Sequence, residues 1–247
     1  MKKRRKTIIA GSLVKVIEYT PPVGKISPQK RGARCKATTA AQRKLNHKTA
    51  QGRLENKLAA NFSASDYFCT FTYAPGEEPQ TRKEVNIHKQ KYIRDLRTMR
   101  KKRGQDLKWV FSIENKTGAG RYHLHAVINA ADLKRDIEEI KSLWPHGHVE
   151  VTRLFDDCHK YNSWLDVARY MTKERPEYGH DDTPNGAQVY SCSRNLEPPI
   201  IITEWVEERE RIEIPITAIV IEREDAENEY SRYSYCKYMT RPLFMRN

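Results

Sequence analysis

Two histidines separated by one leucine, His123-Leu124-His125, sit inside the apolar run Arg121–Asn129. Side chains alternate across a strand, so His123 and His125 share one face and Tyr122, Leu124, Ala126 and Ile128 share the other. Nine residues before His123, Glu114 ends the stretch Leu107–Glu114, in which Leu107, Trp109, Phe111 and Ile113 alternate with it. Gly118 and Gly120 suit a loop that folds the two stretches into an antiparallel hairpin. The polar faces then coincide and Glu114 arrives beside the histidines. Two imidazoles and one carboxylate suit a divalent metal with open coordination positions, which can polarise an oxygen of a bound substrate. Alone, a His-x-His is more often two polar residues on a wet strand, so the argument needs the rest of the chain.

Lys160–Glu174 has helical periodicity and is stopped by Pro176. Tyr161, Trp164, Leu165, Val167, Ala168 and Met171 fall on one arc, the core face. Tyr170 falls off that arc, beside Asp166, with Lys173 one turn away. It is presented and not packed. Tyr178 lies past Pro176 in a loop ending Gly179-His180-Asp181-Asp182. A second His-x-His, His146 and His148, flanks Gly147 after Pro145, which marks a turn, and no carboxylate sits on an obviously shared face. Metal ligation is not expected there.

Composition fixes the partner class. The 247 residues carry a net charge of +13 with a pI near 9.5, which points to a polyanion. Residues 1–60 hold sixteen Lys/Arg against only Glu18 and Glu55, so this segment carries +14 and the remainder is close to neutral. The five cysteines are scattered without a C-x-x-C pair and read as reduced thiols, not as a zinc site or a disulfide framework. The basic start leads into an apolar patch cut short by Glu18 and Thr20. No membrane span is expected, and the expected location is the cytoplasm.

In chain order, residues 1–37 read as a basic arm with one strand at Ile8–Tyr19. Residues 38–200 form the main α+β domain, and 201–247 an acidic, β-rich extension. A basic helix spans Thr38–Asn61 with Leu45, Leu54 and Leu58 inside. Tyr67–Tyr73 is a buried strand, Arg82–Arg103 a helix, Ala131–Trp144 another with Leu133, Ile137, Ile140 and Trp144 inward, and His148–Phe155 a strand. Pro199–Val206, Ile214–Glu222 and Tyr230–Met239 read as further strands, the last two joined by a turn at Asp225–Asn228. The many Glu residues between Pro198 and Tyr230 should repel DNA and are open to a partner protein. Removing the arm is expected to weaken DNA binding and flatten its salt dependence without touching the chemistry.

Three pieces in this order resemble the HUH endonucleases, the rolling-circle replication initiators of phages, plasmids and small DNA viruses. They are Phe68-Cys69-Thr70-Phe71-Thr72-Tyr73, His123-Leu124-His125 with Glu114 upstream, and Tyr170-x-x-Lys173-Glu174. Asn61-Phe62 and Ser193-Arg194-Asn195-Leu196 followed by Pro198 are similar to compact replication-associated proteins of bacterial mobile elements. Some relatives carry a second active-site tyrosine one turn from the first; here Lys173 lies near that place, which implies single-tyrosine chemistry.

The resemblance implies a ferredoxin- or RRM-like antiparallel sheet of about five strands with helices packed against it and the His-x-His strand at its centre. It implies Mg²⁺ or Mn²⁺ on Glu114, His123 and His125, and Tyr170 as the nucleophile, leaving a 5′-phosphotyrosyl link and a free 3′-OH that primes synthesis. A phenol with pKa near 10 needs cationic help at neutral pH, which Lys173 could supply. The substrate would be single-stranded or origin-hairpin DNA, with phosphate contacts from Arg43, Lys44, Lys48, Arg97, Arg100, Lys101 and Arg121. The chain lacks G-x-x-x-x-G-K-[ST], so a host helicase and a host polymerase would be partners, and a homodimer is open. The alternatives are a relaxase or single-strand transposase with the same chemistry, or a non-catalytic RRM-like module stacking bases on Phe71, Tyr73 and Trp109.

Overall fold

The computed structural model describes residues 2–21, 40–115, 122–155, 163–172, 189–227 and 232–240. The elements in chain order are β1 (Lys2–Ala10), β2 (Leu13–Tyr19), α1 (Ala40–Asn61), β3 (Tyr67–Tyr73), α2 (Arg82–Lys101), β4 (Trp109–Asn115) and β5 (Tyr122–Ile128). There follow α3 (Asp136–Ser142), β6 (Gly147–Arg153), α4 (Trp164–Met171), β7 (Tyr190–Cys192), β8 (Ile200–Glu207), β9 (Ile219–Glu227) and β10 (Arg232–Met239). They build two antiparallel five-stranded sheets, ordered β6-β3-β5-β4-β7 and β8-β1-β2-β10-β9, an α+β architecture. Contacts divide the chain into a unit of Ala50–Leu196, holding the first of these sheets, and a unit of Met1–Thr49 with Glu197–Asn247, holding the second.

In the Ala50–Leu196 unit the His-x-His strand β5 is central, as the resemblance implies. Aromatic and β-branched residues make Tyr67–Tyr73 a strand without ambiguity, and its bounds agree with the sequence reading. Tyr67, Cys69, Phe71, Trp109, Phe111, Leu124 and Ala126 point to one face. There they meet Val85, Tyr92, Ile93 and Leu96 of α2, with Ile140 and Trp144. Each of those α2 side chains contributes roughly 1.5–3 kcal/mol by burial. Thr81 caps α2 by accepting the Glu84 amide, while the Glu84 carboxylate accepts the Gln80 amide 2.9 Å away.

Two features depart from the sequence reading here. The helix expected over Ala131–Trp144 is only Asp136–Ser142, and Leu133 and Ile137 are exposed while Ile140 and Trp144 are buried. The Asp136 carboxylate accepts the amides of Ala131 and Asp132, at 2.7 and 2.9 Å, which curls the preceding residues into a turn. Arg100, expected on DNA, is fully buried. It donates to Asn129 O at 2.7 Å and Oδ1 at 2.9 Å, and pairs with Asp136 at 3.3 Å. It is an internal brace and cannot touch a phosphate.

In the other unit the basic start is not an arm. Residues 2–10 and 13–19 form two strands, and β1 pairs with β8 as β2 pairs with β10. The acidic C-terminal stretch meets these cations: Lys2 lies 3.7 Å from Glu207, and Arg5 lies 4.0 Å from Glu204 and 3.9 Å from Glu210. Glu18, across the β1–β2 hairpin, takes Lys3 and Arg5 at 2.7 Å each. Part of the excess charge is therefore neutralised inside this unit. β9 runs through Glu227, so the link to β10 falls after the expected Asp225–Asn228 turn. Leu45, expected inside α1, is exposed, while Leu54 and Leu58 are buried.

Two outcomes follow from these contacts. Arg100→Ala should destabilise the protein by about 3–5 kcal/mol in urea melts, because Asp136 is left charged and buried. An unchanged melt with weakened DNA binding would restore Arg100 to the DNA surface. Deleting residues 1–19 removes the two strands that bridge β8 to β10. Limited proteolysis should then cut within residues 200–227 at least about tenfold faster, through local opening.

Candidate active site

The face of the β6-β3-β5-β4-β7 sheet turned away from α2 carries the polar residues. Register fixes the arrangement: Glu114 lies opposite His123 and Ser112 opposite His125 across β4–β5, while Thr72 and Thr70 lie opposite His123 and His125 across β3–β5. Directly opposed residues have Cβ atoms roughly 4.5–5.5 Å apart, so Glu114, His123 and His125 form one patch.

Within it, His125 Nε2 donates to Glu114 Oε2 at 2.8 Å, and Thr70 Oγ1 lies 3.4 Å from His125 Nδ1. His125 is buried, while Glu114 and His123 are half-buried. Adjacent corners of an octahedron with ~2.1 Å bonds lie about 3.0 Å apart, so the Nε2–Oε2 separation is that of two neighbouring ligands. Among the described residues, however, no three His, Cys, Asp or Glu side chains converge as a ligand group. The donor types and register suit a divalent cation; the formed feature is the Glu114–His125 pair, with His123 as its neighbour.

α4 lies over this face. Ser163 caps it: its hydroxyl accepts the Asp166 amide at 3.2 Å and donates to the Asp166 carboxylate at 2.9 Å. That cap starts the helix at Trp164, later than the expected Lys160, because Ser163 has extended φ and ψ of −156° and 162°. Trp164, Val167, Ala168 and Met171 are buried, whereas Tyr170 is half-buried, off the apolar arc as its position predicts. The Tyr170 ring stands edge-on to His125 with centroids 4.9 Å apart, and edge-on to Phe68 at 5.6 Å. Phe68 also stacks on His125 at 6.0 Å. The phenol of α4 and the imidazole of β5 are thus held against each other by a shared aromatic neighbour.

The other expected residues divide. Lys173, Tyr161, Tyr178 and Arg121, and the side chain of Arg43, lie outside the described residues. Lys44 and Lys48 are exposed on α1. Arg97 and Lys101 are exposed on α2, which packs on the opposite face of the sheet from Glu114 and His125. His146 is not on the sheet. Its ring stacks on His88 with centroids 3.9 Å apart, and its Nδ1 lies 3.8 Å from Glu77. His88 is held below its usual pKa by burial first and by His146 second.

His148 corrects one expectation, because it shares the His123 face with a carboxylate, Glu150. Both are exposed on β6 and stand two strands from β5, about 10 Å away. Sequence reasoning also passed over Phe68, Thr70 and Ser112. Their signal was period two: they fall on the same strand parity as the histidines once the register is known.

Ser112 is 3% exposed, and among the described residues its hydroxyl has no hydrogen-bond partner. Ser112→Ala should therefore hold or raise stability by up to about 1 kcal/mol in thermal melts, since a buried unsatisfied hydroxyl is a cost. A loss of 2 kcal/mol or more would show that the hydroxyl is satisfied in solution.

Residues 66–175 match the family model of the replication-associated protein ORF2. The span opens just before β3 and closes beyond α4, so it contains Phe68, Glu114, His123, His125 and Tyr170. It supports the resemblance to replication initiators read from the three motifs. No curated protein and no solved structure matches the chain. No helix among the described residues is long and apolar enough to cross a membrane.

Proposed function

We propose that this replication-associated module is a site-specific endonuclease and strand transferase that nicks single-stranded origin DNA and so starts rolling-circle replication. The observation that carries the reading is the placement of Tyr170 edge-on to His125 across the Glu114/His123/His125 face. A non-catalytic base-stacking module gives no reason for that meeting. Phe71 and Trp109, two of the rings it would use, are buried under α2.

Tyr170 Oη would attack the scissile phosphorus as the P–O3′ bond breaks. The phenolic proton leaves, the 3′ oxygen gains one, and the 5′ phosphate stays on the tyrosine. The bond energy is kept in the phosphotyrosyl ester, so a 3′-OH can reverse the attack and reseal the strand. An attacking oxygen must be held within roughly 3–3.5 Å and in line with the leaving group, which a capped helix packed on a sheet can do. Glu114, His123 and His125 would hold Mg²⁺ or Mn²⁺. That cation, when bound, polarises a non-bridging phosphate oxygen and offsets the charge that builds on it. Phe68 would keep the His125 and Tyr170 rings in their relative pose.

The test is a denaturing gel of labelled single-stranded origin DNA incubated with protein and Mn²⁺. Wild type should give an adduct that survives denaturant. Tyr170→Phe should fold, bind DNA and give none. His123→Ala and His125→Ala should each lower the adduct rate by roughly 10²-fold or more and weaken Mn²⁺ binding in calorimetry. His146→Ala/His148→Ala should retain Mn²⁺ binding. An adduct that persists in Tyr170→Phe would transfer the nucleophile elsewhere, and one formed at full rate in EDTA would remove the metal.

A further inference from the structure

A cleft of about 380 Å³ opens at the corner where α2 meets the β4–β7 edge. The β4–β7 ladder pairs only Val110, Phe111 and Ser112, ending at Ser112 opposite Tyr190, and the cleft lies where β4 runs on to Ile113. One wall is cationic, with Arg82, Lys83 and Lys89 from successive turns of α2. The facing wall offers Ile113, Val189 and the Tyr190 ring. Among the described residues the lining contains no carboxylate.

Lys89 is the unusual group. It is 8% exposed, and it donates to Asn86 Oδ1 at 2.8 Å and Ser191 Oγ at 3.1 Å, both neutral. Among the described residues no carboxylate pairs with it. Burying an ammonium without a counter-charge is costly, and Arg82 beside it adds repulsion. Burial first, then the Arg82 charge, pushes its pKa down to about 8. A fold that only needed to fill this space would do better with a methionine. Ser112, whose buried hydroxyl has no hydrogen-bond partner among the described residues, belongs to the same lining. An uncompensated cation and an unsatisfied hydroxyl around one open cleft mark a place for an anion with acceptor oxygens.

We propose that this cleft is a nucleotide subsite, taking one phosphate of a DNA single strand against Lys89, with Arg82 and Lys83 completing its neutralisation. The Ile113–Tyr190 wall takes the attached sugar or base, as apolar and aromatic surfaces do in single-strand grooves. Ser112 faces Tyr190 on one side and His125 on the other, so the subsite begins one strand away from the Glu114–His125 pair. A strand held here is anchored beside the cleavage face. The identity of the ligand as DNA rests on the nicking function; the anion site itself does not.

The experiment is fluorescence anisotropy of a labelled single-stranded oligonucleotide in EDTA, where no cleavage is expected, across a salt series. It compares the full chain with Lys89→Met and Lys83→Glu, each checked by thermal melt. Met fills the stem's space without a charge, so Lys89→Met should melt at or above wild type. Its affinity should fall about tenfold at moderate salt, and the slope of log K against log salt should flatten by about 0.7, the value for one single-strand phosphate. Lys83→Glu, at a position open to solvent, should weaken binding in the same direction and decides the matter if Lys89→Met does not fold.

Competition identifies the source of the phosphate. Deoxynucleoside monophosphate or pyrophosphate that displaces nothing leaves the strand as ligand. Competition by either that is lost in Lys89→Met supports the same site with a free nucleotide as its occupant. Wild-type affinity and slope in a folded Lys89→Met protein overturn the subsite. Failure of wild type to bind any oligonucleotide overturns DNA as the ligand and the nicking function together.

Discussion

The pairing of β4 with β5 in a single register is the constraint on which the candidate site depends. Glu114 opposite His123 and Ser112 opposite His125 put three potential donors on one face, while Trp109, Phe111, Leu124 and Ala126 take the other. A slip of one residue would turn the histidines toward α2 and the apolar residues toward α4. The buried apolar face therefore enforces the chemistry of the polar one. Burial of four α2 side chains against it outweighs anything the polar residues could gain by choosing another alignment.

Depth of support distinguishes the two faces further. Beneath the sheet, Arg100 ties α2 to the end of β5 through Asn129 and to α3 through Asp136. Above it, α4 is only eight residues long and is fixed by its Ser163 cap and four buried side chains. The histidines ride on the more strongly braced layer and the tyrosine on the lighter one. An enzyme that must form and later release a covalent link gains from that division, because the phosphate-orienting groups stay put while the nucleophile can adjust.

Elements with strong local signals were legible in the sequence. Tyr67–Tyr73 is all aromatic or β-branched except Cys69, and Thr81 with Glu84 marks the start of α2. Tyr170 was legible because it breaks the stripe formed by Trp164, Val167, Ala168 and Met171. What failed depended on partners distant in the chain. Arg100 looked like one more cation in a basic run, and only Asp136, thirty-six residues on, makes it a core residue. β7 is three residues without periodicity, defined by its pairing to β4. Lys2–Lys6 reads as a solvated tail because nothing nearby reveals that Glu204 and Glu207 will lie alongside. His148 and Glu150 share a face with the histidines through β3, which no spacing rule in β6 can disclose.

The interleaving of the chain's two ends imposes an order of assembly during synthesis. Ile9 pairs with Ile200 and Leu13 with Met239, so the first hairpin leaves the ribosome long before its flanking strands exist. At about 5–20 residues per second, the wait for some 200 further residues is roughly 10–40 s. During that interval the Ala50–Leu196 unit, whose strands all pair among themselves, can already close. The nascent β1–β2 hairpin meanwhile keeps Lys2, Lys3 and Arg5 without the Glu204, Glu207 and Glu210 side chains that later lie beside them. Maturation of the protein is thus sequential, with the replication-associated module complete first and the terminal sheet sealed only as the last strand emerges.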